Sequence, residues 1–356
     1  MLAILSSAHF YIWSRFVNAA DLPSPWRTLA SFAIIVLAPS LPLSAILSRR
    51  LARDVARPFL IAAYTWFGVA VYLLLFAAVT HLACAVAAVD PRTGALVGVG
   101  AAVVTVIYGL INVRLGPVVR RVEIPVAKLP ARAKGYSIVQ LTDVHIGATL
   151  GARFARRVVD RVNALSPDLI VITGDFIDGR LSELRDHVAP FRQLRARDGV
   201  FAVTGNHEYY WNVDAWLPYL ASLGIRFLRN EHVTIRDAFE LTGVDDTTAG
   251  VMALGHGEDL AAALLGRDPT LPIVLLAHHP SSIERAVAAG CDVQLSGHTH
   301  GGQLLPLGWL VRLFEPHVAG LARFGATWLY VSEGTGFWGP PLRVGTSCEI
   351  AAITLV

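Results

Sequence analysis

The sequence predicts a mixed α/β domain that follows a membrane-spanning region of three or four helices. Two observations predict this division. Residues 1–115 contain long apolar runs without charges, whereas residues 136–356 alternate short apolar runs with helical stretches, as in a sheet whose strands are buried on both faces. The proline-containing stretch 116–135 is expected to be a linker between the two regions.

Three apolar runs are predicted to cross the membrane, at residues 28–48, 60–82 and 93–113. A spanning helix needs about 20 apolar residues, because each residue adds about 1.5 Å across a hydrocarbon core of roughly 30 Å. Residues 2–20 are open between two interpretations, a short fourth span and an amphipathic helix on the membrane surface, since Arg15 interrupts their apolar character.

Charge divides the chain in the same way. The first 115 residues carry eight arginines and three aspartates with no lysine or glutamate, so they contribute +5 to a net charge of +3. Loop 48–58 and the stretch after residue 113 are basic and are separated by two predicted spans, so both lie on one side of the membrane. The positive-inside rule places that side in the cytoplasm. We therefore predict a multi-pass protein of the cell (inner) membrane with a cytoplasmic C-terminal domain.

The composition argues against nucleic-acid binding and against structural roles for the cysteines. The isoelectric point near 8.9 reflects arginines that flank the apolar runs, and no basic stripe interleaved with aromatics follows residue 135. We therefore expect the lipid bilayer, and no nucleic acid, as a partner. Three isolated cysteines without a CxxC pair predict neither a disulfide framework nor a thiolate metal site.

Strands and helices alternate along the predicted α/β domain. Strands are expected at Tyr136–Leu141, Leu169–Thr173, Val200–Thr204, Ile273–Ala277 and Val293–Leu295, and later at Trp328–Val331 and Glu349–Leu355. Helices are expected at Arg153–Leu165, Leu181–Arg195, Val213–Leu223 and Ser281–Ala289. In such layered folds, ligands bind in the crevice beyond the carboxyl ends of the strands.

Each of the first five predicted strands is followed by side chains that bind metal ions. These candidate ligands are Asp143, His145, Asp175, Asn206, His278, His298 and His300. Imidazole, carboxylate and carboxamide groups together suit divalent ions such as Mn, Fe, Zn or Co. A lone Asp-x-His pair is more often a surface turn, but five such strand endings in one chain predict a metal centre.

The motifs that carry these residues resemble a known family. They are Asp143-Val144-His145, Gly174-Asp175-Phe176-Ile177-Asp178, Gly205-Asn206-His207-Glu208, Ala277-His278-His279-Pro280 and Gly297-His298-Thr299-His300-Gly301-Gly302-Gln303. This series is similar to the calcineurin-like metallophosphoesterase superfamily, most of all its bacterial membrane-anchored branch. The resemblance covers residues 136–356 and implies a four-layer αββα sandwich that binds two divalent metal ions.

The resemblance also implies roles for the ligands. Asp143, His145 and His300 would hold one ion, Asn206, His278 and His298 the other, and Asp175 would bridge them. Two ions about 3.5–4 Å apart can share a hydroxide that attacks phosphorus.

Further residues receive roles by their place in the motifs. His207 is expected to be the general acid that protonates the leaving oxygen, and Asp178 to orient a ligand imidazole or loop. Arg343 is open between binding the substrate's phosphate and being an ordinary exposed arginine. His279 is a less favoured alternative to His278 as a ligand.

The predicted function is hydrolysis of a phosphodiester or pyrophosphate bond by a membrane-anchored enzyme. The short linker and the aromatic residues near the metal motifs are consistent with a lipid-linked substrate. Those aromatics are equally consistent with core packing. They are Tyr209, Tyr210, Trp211, Phe337 and Trp338. The rival hypothesis is a catalytically silent metal-binding module on the membrane with a sensory or structural role. A nuclease would need a basic groove that the sequence does not indicate.

Overall fold

The computed structural model describes residues 2–252, 254–315 and 317–356. Over these residues the chain forms two compact units. The first unit contains the residues up to Leu115 together with the short segment Gly339–Val344. The second unit contains Gly116–Trp338 and Gly345–Val356.

The first unit is helical. Its α-helices are α1 (Leu2–Trp13), α2 (Trp26–Leu37), α3 (Ser40–Arg50), α4 (Arg53–Ala87) and α5 (Pro91–Leu115), and a π-helix follows α1 at Ser14–Asn18. Within the described part of the chain, two helical stretches are long and apolar enough to cross a membrane, Asp54–Ala87 and Pro91–Leu115. Helices α2 and α3 form a pair bent by 40°, which would add a third crossing if the pair is one span.

The expected spans relate differently to these helices. Residues 60–82 and 93–113 fall inside α4 and α5, whereas residues 28–48 cover the bent pair, where Pro39 interrupts the helix. The 12 residues of α1 and the 5 residues of the π-helix that continues it are together fewer than the roughly 20 that a crossing needs. Three or four membrane helices therefore stay a prediction.

The second unit contains two six-stranded sheets among its described residues. The first has the order β1-β12-β2-β3-β4-β5 and the second the order β10-β11-β9-β8-β7-β6. The strands are β1 (Val118–Ile124), β2 (Tyr136–Leu141), β3 (Leu169–Thr173), β4 (Val200–Val203), β5 (Ile225–Phe227), β6 (Glu231–Ile235), β7 (Phe239–Gly243), β8 (Ile273–Leu276), β9 (Val293–Ser296), β10 (Gly320–Phe324), β11 (Thr327–Val331) and β12 (Glu349–Leu355). The predicted mixed α/β architecture is confirmed.

Helices and short helical turns connect these strands. The α-helices are α6 (Ala152–Ala164), α7 (Leu181–Val188), α8 (Asn206–Tyr210), α9 (Val213–Ser222), α10 (Thr248–Val251), α11 (Leu260–Ala263) and α12 (Ile283–Ala288). The 3-10 helices are Ala131–Ala133, Ala189–Gln193, Pro280–Ser282, His300–Gly302 and Leu307–Leu313. The helix expected over residues 181–195 changes to a 3-10 helix after Val188, because Pro190 has no amide hydrogen to donate.

The two sheets share one apolar core. Ile138, Val171 and Val203 of the first sheet belong to the same buried cluster as Val274 and Leu295 of the second. Burial of both faces explains why the first four residues of β3 are apolar, since all five of its residues are buried. A second cluster joins α11 and α12 to the opposite face of the second sheet. The four-layer arrangement that the resemblance implies stays a prediction.

The segment expected as a linker includes a strand. Residues 118–124 form β1, which pairs in parallel with β12 from Val118 to Ile124. The pairing is non-local, because β12 lies at the other end of the chain, so the valines of this short stretch gave no distinct signal. Only Gly116 and Pro117 separate the end of α5 from the start of β1.

Candidate metal centre

Adjacent strands bring the candidate ligands to one edge of each sheet. Strands β2, β3 and β4 are parallel neighbours, and β8 and β9 are a parallel pair in the second sheet. Each of the five is followed, within four residues, by one or two of the candidate ligands. Because parallel strands end at the same edge, the ligands from distant parts of the sequence meet in the crevice there.

The backbone is strained where it carries the ligands. Five of the seven candidates have a positive φ, namely Asp143 (50°), His145 (48°), Asp175 (54°), His298 (70°) and His300 (51°). Residues other than glycine rarely adopt this conformation, and it persists at sites where surrounding contacts fix the chain. The strained residues therefore include most of the candidate ligands.

Two glycines allow the strand ends to approach closely. A Cβ atom on Gly174, which has φ +90°, would lie 2.6 Å from His278 Nδ1. A Cβ atom on Gly205 would collide with the Asp175 carboxylate. Both positions thus require glycine for the ligands to converge.

Three of the candidates form a first cluster. His145 Nε2 lies 3.1 Å from His300 Nε2, and His300 Nε2 lies 3.4 Å from Asp143 Oδ1. Asp143 is fully buried and is fixed by Thr142 Oγ1, which donates to Asp143 Oδ2 at 2.7 Å. The backbone amide of His298 also donates to this carboxylate, at 3.0 Å. This last bond ties the first cluster to the end of β9.

Three other candidates form a second cluster around His278. Its Nε2 lies 3.1 Å from Asn206 Oδ1 and 3.3 Å from His298 Nδ1. Its Nδ1 donates to the Thr173 carbonyl oxygen at 2.8 Å, which fixes the ring and directs Nε2 into the cluster.

Asp175 faces both clusters. Its Oδ2 atom lies 3.3 Å from His278 Nε2 and 3.8 Å from His145 Nε2. Its other oxygen, Oδ1, accepts from the backbone amide of His207 at 2.9 Å. One carboxylate is therefore in position to contact two ions at once.

The donor set fits divalent metal ions. Ligand atoms about 2.1 Å from a common ion lie roughly 3.0–3.4 Å from one another in octahedral or tetrahedral geometry. The nearest separations within the two clusters, 3.1–3.4 Å, match this spacing. Burial, and then the nearby charge of His278, lowers the pKa of His298 to about 2, so this imidazole is neutral, as a metal ligand must be.

His207 lies beside both clusters, but its ring nitrogens make none of the separations of 3.1–3.4 Å found within them. Its Nδ1 lies 2.8 Å from Asp178 Oδ1, and its Nε2 lies 3.9 Å from Asp175 Oδ2. Burial alone would lower the pKa of His207, but the hydrogen bond to Asp178 and the charge of Asp175 outweigh it and raise the pKa to about 9. Trp211 Nε1 donates to the same Asp178 oxygen at 3.0 Å, which holds the carboxylate in place.

Glu208 is a structural residue of the site to which we assigned no role from the sequence. Its carboxylate accepts hydrogen bonds from the backbone amides of Asp175 (3.0 Å), Phe176 (2.8 Å) and Gly205 (2.7 Å). Burial, and then the charge of Asp175, raises the pKa of Glu208 to about 7. Its place directly after His207 in the motif is the signal that could have identified it.

His279 takes part in a third group beside the second cluster. It could share an ion with His298 and Glu315, and its Nε2 lies 3.3 Å from Asp246 Oδ2. The ring centroids of His279 and His298 are 3.8 Å apart. Glu315 had no sequence signal, because it lies outside every motif.

Arg343 is placed differently from the other candidates. It belongs to the segment Gly339–Val344 of the helical unit, and its backbone carbonyl accepts from Asn112 Nδ2 at 3.0 Å. Its side chain is fully buried, so the alternative of an ordinary exposed arginine was wrong.

The aromatic residues near the motifs divide into two sets. Tyr209 and Phe337 are buried, as core packing predicts. Tyr210 and Trp338 are about half exposed, at 57% and 52%, and their ring centroids lie 5.3 Å and 6.0 Å from that of His207. The exposed pair therefore lies next to the buried imidazole of His207.

Comparison with known proteins matches the chain to one family. Residues 136–302 match the model of the calcineurin-like phosphoesterase family. A "Transmembrane protein with metallophosphoesterase domain" from Danio rerio is 41% identical over 71% of this chain and 60% of its own length. The protein of the same name from Bos taurus is 43% identical over 70% of this chain and 59% of its own length.

A bacterial relative is matched over nearly its whole length. An uncharacterized metallophosphoesterase from Aquifex aeolicus is 32% identical over 67% of this chain and 91% of its own length. By contrast, the chain spans only about 60% of the two vertebrate relatives.

Proposed function

Because this chain belongs to the calcineurin-like phosphoesterase family, we propose that it is a membrane-anchored phosphoesterase with a dinuclear metal site. Its reaction is the hydrolysis of a phosphodiester or pyrophosphate bond, with a lipid-linked ester as the candidate substrate. The observation that carries the proposal is the position of Asp175 Oδ2, which lies within 4 Å of an imidazole nitrogen of each cluster.

The proposed ligand sets follow the two clusters. Asp143, His145 and His300 would hold one ion, Asn206, His278 and His298 the other, and Asp175 would contact both. The ions, when bound, supply Lewis-acid stabilisation of the phosphate's charge and lower the pKa of water.

His207 is the proposed general acid. Because Asp178 occupies Nδ1, the imidazole presents Nε2 toward the crevice, 3.9 Å from Asp175 Oδ2. A proton on Nε2 passes to the leaving oxygen as the phosphorus–oxygen bond breaks. The ring remains oriented by Asp178 throughout, so reprotonation at Nε2 restores the starting state.

Membrane anchoring is supported by the two long apolar helices and by the names of the vertebrate relatives. Only two residues separate α5 from β1, so the connection between the proposed span and the proposed catalytic unit is short. The arginine distribution supports a cytoplasmic position for this unit at the inner membrane.

The test is metal-dependent turnover by the full-length protein in detergent. After removal of metal by chelation, addition of Mn should restore hydrolysis of bis-p-nitrophenyl phosphate. The chelated protein without added metal serves as the control. If Mn, Fe, Zn and Co each bind but none gives a rate above the control on this diester or on the lipid phosphoesters named below, the result favours the silent metal-binding module.

A further inference from the structure

The segment Leu307–Phe314 exposes an apolar surface in the second unit. Its large side chains are strongly exposed, from Leu307 (43%), Leu310 (57%) and Trp309 (60%) to Leu313 (74%) and Phe314 (83%). We refer to Leu307–Phe314 as the apolar segment. Adjacent exposed apolar residues of this size mark an interaction surface, because covering them removes apolar surface from water and lowers the free energy.

The local helix explains why these side chains point outward together. Residues Leu307–Leu313 form a 3-10 helix, in which side chains three residues apart lie in one row. Leu307, Leu310 and Leu313 therefore make a continuous apolar ridge. Gly308 fixes the helix on its other side: it is buried against Gly302, and a Cβ atom at Gly308 would collide with the Gly302 carbonyl.

The composition of the segment favours a lipid surface over a protein partner. Trp309 and Arg312 form the row beside the leucine ridge, and both Trp and Arg are enriched at the level of lipid headgroups. Two helices of the same chain are apolar enough to cross a bilayer, which makes a lipid bilayer the expected partner of an exposed apolar surface on this chain.

A polar cavity is lined by this segment and by the residue that follows the candidate ligand His300. It has a volume of about 390 Å³ and is lined on one side by Trp309, Arg312 and Glu315 of the segment and its continuation. On another side it is lined by Gly301 and Glu333. Gly301 follows the candidate ligand His300 directly, so the wall of the cavity includes both the apolar segment and a neighbour of the candidate metal centre.

We propose that the apolar segment inserts into the lipid interface and that the substrate is a phosphoester of a membrane lipid, whose headgroup enters this cavity. The substrate part of the inference rests on the proposed phosphoesterase function. Membrane contact by the segment does not, since it depends only on the exposed ridge. Arg312 at the cavity wall carries the charge that would pair with a lipid phosphate, whereas Glu315 and Glu333 of the same wall are carboxylates and would not.

Lipid contact is tested on the full chain in phosphatidylcholine vesicles that contain spin-labelled lipid. An environment-sensitive fluorophore is attached at Leu313→Cys, with Leu265→Cys as a matched control, because Leu265 is also a highly exposed leucine (82%). A Cys84→Ser background removes the least buried native thiol. A third label at Phe314→Cys guards against a local effect of one substitution.

Insertion of about 5–10 Å into the interface should make lipid quenching at Leu313 and Phe314 at least about twofold stronger than at Leu265. Equal quenching at all three positions would overturn the proposal. Blue-shifted emission at Leu313 without lipid quenching would mean that protein covers the segment, and would overturn it too. None of these readings depends on turnover.

The substrate class is tested separately with vesicles that contain phosphatidylglycerol or CDP-diacylglycerol. The Mn-loaded full-length protein should release the headgroup product from at least one of them. Turnover of bis-p-nitrophenyl phosphate without attack on either lipid would overturn the lipid substrate and leave the phosphoesterase function standing. Absence of turnover on all three substrates would instead count against the phosphoesterase function itself.

Discussion

His207 Nδ1 and Asp178 Oδ1 lie 2.8 Å apart, so the carboxylate orients the imidazole that is proposed to protonate the leaving group. His207→Ala should therefore lower the rate roughly 10²–10⁴-fold on esters with poor leaving groups. Esters with good leaving groups should lose much less, because they need less protonation. Steady-state kinetics on a series of aryl and alkyl phosphodiesters measures the difference, and an equal loss across the series would exclude the general-acid role.

Asp178→Asn should weaken the same step through the orientation of His207. A positioning carboxylate beside a functional imidazole is worth roughly 10–100-fold. When His207→Ala is already present, Asp178→Asn should cost little more, since the two residues act as a unit. Asp160→Asn, an exposed carboxylate on α6, is the matched control. Additive losses in the double variant would show that Asp178 acts independently of His207.

His207 and Asp178 could both be located from sequence motifs. His207 and Asp178 stand in motifs that directly follow strands, and strands buried on both faces are visible as short apolar runs. Their contact depends on the parallel pairing of β3 and β4, whereas the motifs predicted only that Asp178 orients a ligand imidazole or a loop. Sequence patterns were therefore sufficient to place both residues after strands, but not to predict the contact between them.

Other elements had no comparable signal. Strand β1 depends on a partner at the opposite end of the chain, and its first four residues are exposed, so no apolar period marked it. The exposed ridge at Leu310 lies on a 3-10 helix, whose period of three residues differs from the α-helical period. Glu315 follows this helix and lies outside every motif. Non-local pairing and short irregular helices are decided by tertiary packing, which local patterns do not encode.

Glu208→Ala should destabilise the proposed catalytic unit. The substitution leaves three buried backbone amides without their acceptor, at a cost of about 1–3 kcal/mol for each unsatisfied group. The exposed Glu284→Ala should change stability by less than about 0.5 kcal/mol. Thermal unfolding of the full-length proteins in the same detergent compares them. An unchanged midpoint for Glu208→Ala would mean that these amides find other acceptors.

The cytoplasmic orientation predicts the behaviour of reporters attached after Val356. A green fluorescent protein fusion should be fluorescent in bacterial cells, whereas a periplasmic alkaline phosphatase fusion should be inactive. The unfused protein is the necessary control, because its own proposed activity contributes background. An active alkaline phosphatase fusion would place the C-terminal unit outside the inner membrane, and with it the substrate.

Metal analysis of Asp175→Asn tests the central claim most directly. The wild-type protein should bind two divalent ions per chain, while Asp175→Asn should bind clearly fewer and lose Mn-dependent activity, because the shared carboxylate and its charge are gone. Asp186→Asn, an exposed carboxylate on α7, should retain both ions. Two fully occupied ions and normal turnover in Asp175→Asn would contradict a dinuclear site bridged by Asp175.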